Sequence, residues 1–372
     1  MIELRDLTKN YGDFTAVRNI SFTVGRGEVC VLIGPSGCGK STTLKLINRM
    51  LEPTAGEVFI EGTGVHNLKP ELLRRKIGYV IQYVGLFPHM TVAENIGVVP
   101  RLLSWNRERI SERVDELLDL MEMNPDMYHD KYPAELSGGE AQRIGVARAL
   151  AADPPLLLMD EPFGAVDPLN REILQTEFVK IQRTLKKTVV FVTHDLDEAI
   201  RVADRIVIMR RGEIVQNDTP EAILATPKNK FVHDFVGSDR ALKRLSRFSV
   251  AEVMRDPVAV RMGDSIERDL QSVKGKKGIR YVWVHDEENK LRGWLNVKLL
   301  EEGRSVEEAL TEIETAHMAV SRDSTLREAL SRMLSEGIKV VPVVDREMRI
   351  VGEINLHDIE KVTEEVEAQW KE

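Results

Sequence analysis

The segment Gly34-Pro35-Ser36-Gly37-Cys38-Gly39-Lys40-Ser41 limits what this chain can become more than any other. It follows an apolar run, Val29-Cys30-Val31-Leu32-Ile33, that reads as a buried strand, and it opens a helical pattern over 42–50. Strand, glycine-rich turn and helix in that order form the P-loop pattern, and the flanking elements separate it from a chance match. Glycines let the backbone wrap tightly, so several N–H groups and a helix N-terminus converge on a phosphate. Lys40 adds a cation for the outer phosphates, and Ser41 offers a hydroxyl to Mg²⁺. Gly34, Pro35, Ser36, Gly37, Cys38, Gly39, Lys40, Ser41 and Thr42 form the candidate nucleotide-binding set, with Cys38 a bystander at a variable position.

A metal beside such a turn needs an acid at the end of a neighbouring buried strand. Leu156-Leu157-Leu158-Met159-Asp160-Glu161-Pro162 supplies it. Asp160 is placed to hold Mg²⁺ through water, and Glu161, one residue on, to polarise an attacking water. Val189-Val190-Phe191-Val192 reads as a further buried strand. Over 111–121, Val114, Leu117, Leu118 and Met121 share one helical face. Alternating strands and helices predict a mostly parallel sheet covered on both sides across residues 1–236.

The pattern changes near Gly237. Residues 237–248 carry Arg240, Lys243, Arg244 and Arg247 and read as a basic linker. Beyond it the chain repeats itself. Ser249-Val250-Ala251-Glu252 parallels Ser305-Val306-Glu307-Glu308, 56 residues later, while Gly293 aligns with Gly352 and Asn296 with Asn355, each 59 apart. Two copies at that spacing predict a pair of small strand-helix-strand-strand-helix modules, 249–304 and 305–365, followed by an acidic tail, 366–372. With 372 residues, two or three folded units are expected, and 30% charged against 42% apolar residues excludes wholesale disorder. The balance of 52 basic and 60 acidic residues gives −8, a poor match to a nucleic-acid-binding surface. Two cysteines, Cys30 and Cys38, fit a reduced, cytoplasmic setting. No apolar run approaches the roughly 18 residues of a membrane span, and the charged start Met1-Ile2-Glu3-Leu4-Arg5-Asp6 is unlike an export leader.

With the phosphate turn and Asp160-Glu161, two more motifs in order, Leu136-Ser137-Gly138-Gly139-Glu140 and Val192-Thr193-His194-Asp195, make residues 1–236 resemble the ABC transporter ATPases. The resemblance implies a P-loop NTPase fold with a helical subdomain, hydrolysis of ATP with Mg²⁺, and a site shared between two copies. Ser137, Gly138 and Gly139 then face the ATP held by the other copy, and residues 140–152 read as the helix behind them. Tyr11 resembles the aromatic that stacks on adenine. Gln82 resembles the glutamine that contacts metal and water and reports to a transmembrane partner. His194 resembles the switch histidine on the γ-phosphate, with Glu161 the favoured base, and Asp167 matches the loop that couples the two sites. Glu140 replaces a common glutamine and Val166 a usual leucine, both mild departures.

Leu86-Phe87-Pro88-His89-Met90-Thr91-Val92-Ala93-Glu94-Asn95-Ile96 is similar to importer ATPases, in which this neighbourhood receives a helix of the permease. Arg74-Arg75-Lys76-Ile77-Gly78-Tyr79-Val80-Ile81-Gln82 and Asp160-Glu161-Pro162-Phe163-Gly164 resemble the branch that imports glycine betaine, carnitine, choline or proline betaine. The repeat resembles the paired CBS modules common there, with Val341-Pro342-Val343-Val344-Asp345 the best-matched part. This implies a peripheral protein on the cytoplasmic face of the membrane. Its expected partners are permease subunits, a second copy of itself and, indirectly, a substrate-binding protein. Another cargo, such as a sugar or amino acid, and a soluble ATPase without a membrane partner remain alternatives. For the CBS pair three readings stay open: a cyclic di-AMP sensor, a dimerising or stiffening module, or a salt-sensitive contact of the linker and Lys274-Gly275-Lys276-Lys277 with anionic lipid. Asn355 and Asp358 preserve the spacing with which such pairs grip ribose and phosphate, whereas Asn296 is followed by Leu299.

Overall fold

Apolar runs too short for helices become the strands of the first unit, and their alternate residues feed two separate cores. In the computed structural model the described residues are 1–82, 85–164, 168–237, 239–262, 281–302, 306–312 and 318–367. The chain divides into two compact units, Met1–Gly237 and Ser238–Glu372.

The central sheet of the first unit has strands β1 to β10 to draw on: β1 (Ile2–Tyr11), β2 (Phe14–Val24), β3 (Val29–Ile33), β4 (Ala55–Ile60), β5 (Thr63–Gly64), β6 (Ile77–Val80), β7 (Leu156–Asp160), β8 (Thr188–Thr193), β9 (Arg205–Arg210) and β10 (Glu213–Asp218). Six of them line up as β10-β9-β3-β8-β7-β6. All neighbours from β9 to β6 are parallel, and only β10 runs antiparallel, as an edge. Val31, Ile33, Leu157, Met159, Val189 and Phe191 bury on one face, while Cys30, Leu32, Leu156, Leu158, Val190 and Val192 bury on the other. Strict period-two alternation of this kind is what a sheet buried on both sides requires.

A second sheet, β2-β1-β4-β5, is antiparallel and packs its inner face on one of these cores through Ile2, Leu4, Leu7, Ile20, Phe22 and Val58. It is absent from the expectation of one mostly parallel sheet. The helix Arg107–Leu120 buries Val114, Leu117 and Leu118, with Met121 just beyond its end, as their spacing predicts, and Asn106 caps its start. The phosphate-turn helix is Lys40–Ile47, and the helix behind Ser137 is Gly138–Leu150.

The second unit departs from its linear reading. The segment read as a basic linker carries a helix, Arg240–Leu245, and Leu245 is 1% exposed in a core with Leu326, Met333, Val341 and Ile354. Apolar burial of Leu245 is what turns that stretch into folded structure. Val250 joins the same core, although it belongs to the first copy of the repeat. Conversely, Leu310–Glu312 pairs with Leu291–Asn296, so the start of the second copy completes the first copy's sheet. The intervals 249–304 and 305–365 are therefore not independent packing units. Strand, helix, strand, strand and helix do follow one another in the second copy: Val320–Ser321, Leu326–Glu336, Val340–Val344, Ile350–Asn355 and Leu356–Glu367. The first of the two helices expected in the first copy and Lys274-Gly275-Lys276-Lys277 lie outside the described residues, as do 368–372 of the acidic tail, while the second helix is Val297–Glu301.

The two copies are also tied by a buried carboxylate. Glu353 Oε2 accepts from the Trp283 indole N–H (3.0 Å) and the Val258 backbone N–H (3.2 Å), and Glu353 is 9% exposed. Glu353→Ala is expected to leave both donors unpaired and destabilise the unit by about 2–3 kcal/mol. Adding Trp283→Phe removes one of the orphans and should recover part of that loss. Urea melts of the full chain check this, and a Glu353→Ala melt that overlays the parent would contradict it.

Candidate nucleotide and catalytic site

Every site residue on the central sheet follows the carboxyl end of one of its parallel strands, where α/β sheets place ligands. The phosphate turn follows β3, Gln82 follows β6, Asp160 ends β7 with Glu161 beyond it, and His194 follows β8. The turn is pressed against its neighbours. Gly34 has φ +152°, and a Cβ there would sit 2.1 Å from the Met209 carbonyl oxygen on β9. Gly39 has φ +107°, and its Cβ would meet the Ala16 carbonyl oxygen on β2 at 2.4 Å. Neither contact admits a side chain, so both glycines are steric requirements.

Lys40 is 7% exposed, and its ammonium donates to the carbonyls of Gly34 (2.7 Å) and Pro35 (3.2 Å). Pro35, Ser36 and Gly37 are exposed along the turn, and Ser41 and Thr42 are half-buried at its end. Cys38 is buried, with burial pushing its thiol up, so it offers a ligand only its backbone. Ser41 Oγ donates to Asp160 Oδ1 at 2.9 Å. Burial pushes the Asp160 carboxyl upward, against the Ser41 hydrogen bond, which lowers it. A desolvated carboxylate beside a hydroxyl is a hard-oxygen donor set, and it fits Mg²⁺.

Glu161 adopts a left-handed backbone (φ +46°), unusual for a residue with a side chain, and its N–H donates to the Val192 carbonyl at 2.8 Å. This turn brings its carboxylate between two residues remote in sequence. Glu161 Oε2 accepts from Gln82 Nε2 at 3.0 Å and lies 3.1 Å from His194 Nδ1. The three residues proposed for catalysis thus share one oxygen atom.

The remaining candidates lie elsewhere. Ser137 caps the helix Gly138–Leu150: its hydroxyl accepts from the Glu140 N–H at 3.3 Å, and its own N–H donates to Glu140 Oε2 at 2.7 Å. Among the described residues no hydrogen bond joins Ser137, Gly138 or Gly139 to the Gln82–Glu161–His194 trio. Tyr11 ends β1 opposite Phe14, 48% exposed, with Lys9 Nζ 5.2 Å over its ring. Asp167 and Val166 lie outside the described residues.

One group escaped the reading of the sequence. Glu198 is 5% exposed behind His194, takes a hydrogen bond from Gln175 Nε2 (3.2 Å) and another from the Thr193 side chain, and is pushed up to about 7 by burial. It lines a cleft with Glu161, Arg171, His194 and Asp195. Asp195, whose side chain caps the helix Leu196–Val202, stands three residues before it, and that Asp-x-x-Glu spacing was the available signal.

Comparison with known proteins gives the family of the chain. The family model described as ABC transporter matches residues 17–164, and that described as CBS domain matches 310–365. The chain is similar to the glycine betaine/carnitine/choline transport ATP-binding protein OpuCA of Bacillus subtilis, 47% identical over 95% of this chain and 93% of the relative. It is also similar to the osmoprotectant import ATP-binding protein OsmV of Salmonella typhimurium, 44% identical over 95% of this chain and 94% of the relative. Among solved structures it resembles the dimeric post-hydrolysis state of the ATP-binding cassette MJ0796 bound to ADP and Pi, with a TM-score of 0.53. That match is 34% identical and covers 59% of this chain and 99% of the cassette.

Glu198 makes stability depend on pH. Its folded value, about 7, lies above its ordinary 4.5, so the folded protein holds the proton longer. The stabilisation is complete below about pH 4.5 and is lost as pH rises through about 7, by on the order of 3 kcal/mol. Glu198→Gln is therefore expected to be more stable than the parent near pH 8 and no more stable near pH 5. Denaturant melts at the two pH values check this, and parallel behaviour at both would contradict it.

Proposed function

Because the chain belongs to the ABC transporter ATP-binding proteins, in the branch of the glycine betaine, carnitine and choline transport proteins, we propose that it powers uptake of quaternary-amine osmoprotectants from the cytoplasmic face of the membrane. The observation that carries the catalytic part is the single Glu161 oxygen shared by Gln82 and His194, next to the Ser41–Asp160 pair. The names of the relatives support the cargo class. No helix among the described residues is long and apolar enough to cross a membrane, and the names of the relatives support permease subunits as the partners that carry the translocation path. A substrate-binding protein completes the assembly on the far side.

ATP enters with its phosphates on the Gly34–Ser41 amides and the helix N-terminus behind them. Lys40 exchanges its carbonyl partners for the β- and γ-phosphates, and the exposed face of Tyr11 stacks on adenine. Ser41, Asp160 and Gln82 are the residues that would hold Mg²⁺. When bound, the ion neutralises charge on the phosphate oxygens. A second copy closes over the nucleotide with its Ser137 hydroxyl and its Gly138 and Gly139 amides on the γ-phosphate, and Asp167 is assigned the coupling of the two sites.

Glu161 takes a proton from water as the water oxygen bonds to the γ-phosphorus and the bond to the bridging oxygen breaks, giving ADP and phosphate. Gln82 and His194 hold the carboxylate in place, and His194 also reaches the γ-phosphate. Closing and reopening of the dimer drive the permease through alternating access. The dimeric ADP- and Pi-bound relative supports this cycle.

The CBS pair acts as the regulatory module, with cyclic di-AMP as its proposed ligand. Asp358 is already engaged: Arg255 Nε donates to its Oδ2 at 3.0 Å, and the Asn355 N–H at 3.2 Å. Any nucleotide gripping this carboxylate must displace the guanidinium, and the first copy has Leu299 at the matching place. Calorimetric titration of the full chain with cyclic di-AMP should give a saturable signal, and none at high micromolar ligand would remove the proposal.

Glu161→Gln is expected to bind ATP, accumulate as a closed dimer and hydrolyse about 10²–10⁴-fold more slowly. Lys40→Ala should lose nucleotide affinity. Steady-state ATPase assays and size-exclusion chromatography with ATP and Mg²⁺ test both, and hydrolysis at the parental rate by Glu161→Gln would refute the base assignment.

A further inference from the structure

Glu140 stands out in the sequence only as a carboxylate in place of a common glutamine, yet its surroundings give that charge a task. Both its oxygens are engaged. Oε2 accepts from the Ser137 N–H at 2.7 Å, while Oε1 accepts from the Tyr128 hydroxyl. In return the Glu140 N–H donates to Ser137 Oγ at 3.3 Å. The Tyr128 hydrogen bond is the largest of several contacts that hold the carboxyl down to about 2, so it is ionised throughout the physiological range. A fixed negative charge in the first turn favours the helix dipole.

Tyr128 is itself well anchored. It ends the short helix Pro125–Tyr128, capped by Asn124, and packs its ring against the core of the first unit. Lys131 Nζ lies 4.2 Å over the same ring, bringing a cation near Glu140. Anchored ring, hydroxyl, carboxylate and Ser137 amide form one chain of contacts from the core to the start of the helix Gly138–Leu150.

We propose that Tyr128 is a positioning residue that, through Glu140, holds Ser137 and the first turn of its helix in the geometry that receives the nucleotide bound by the opposite copy. This rests on the shared-site reading above. The carboxylate suits the task better than an amide, because it can accept from the tyrosine and from the Ser137 backbone at once without placing a donor against either. Engaged as a cap, the Ser137 hydroxyl accepts through its oxygen and keeps its proton for an anion.

The test uses the full-length Glu161→Gln chain as parent, with Tyr128→Phe, Glu140→Ala and the pair introduced into it. Tyr128→Phe keeps the ring and loses only the donor. ATP affinity of the monomer should stay at the parental value, while ATP-driven dimerisation weakens about tenfold, the scale of a hydrogen bond to a charged group. Glu140→Ala should weaken dimerisation at least as much, and the double variant no further, since Tyr128 acts through Glu140. Parental dimerisation by Tyr128→Phe overturns the inference, as do effects that multiply in the double variant or a loss of monomer ATP affinity to match. A parent that never dimerises with ATP overturns the shared-site reading and this inference with it, which separates the two failures.

Discussion

The first unit is organised by a backbone contact too tight for any side chain. Gly34 turns out of β3 directly against the Met209 carbonyl, and Gly39 turns back against Ala16. These contacts tie the phosphate turn to β9 on the central sheet and β2 on the antiparallel one, so the cradle is set by the seam where the two sheets share a core. A turn held this way has its N–H groups in place before nucleotide arrives, and ordering it costs little at binding. Lys40 fits the same logic: its buried ammonium is satisfied by carbonyls of its own loop and loses nothing when phosphate oxygens replace them.

The proposed catalytic arrangement depends on strand order. Because β6, β7 and β8 are consecutive neighbours, the residues after them meet above the sheet edge despite lying 79 and 33 positions apart. Glu161 is the joint. Its left-handed backbone aims the carboxylate across the strand ends, so strain at one residue does the positioning. Among the described residues no hydrogen bond joins Ser137 to this group, which is the arrangement the proposed shared site requires.

Much of this was legible in the residues. The alternation in β3, β7 and β8 announced a doubly covered sheet, and the phosphate turn, Asp160-Glu161 and His194 all stand where their motifs placed them. The antiparallel sheet was not legible. Bulges in the β1–β2 pairing break the period-two signal, and Asp6 and Asn19 take left-handed conformations there. Glu198 escaped because a buried carboxylate looks like any helix-start acid until its partners from another helix are known. The basic stretch after Gly237 misled through its charges. Leu245 and Phe248, spaced among them, decide its structure by packing on the second unit's core.

The C-terminal unit has exchanged its leading segments: Val250 is sealed into the half built by the second copy, and Leu310 completes the sheet of the first. Halves interlaced in this way cannot be parted without unravelling both, so a truncation at 304 would cripple the half it keeps. The repeat is still visible in the letters, but its copies cannot be deleted one at a time, because each half borrows a segment from the other.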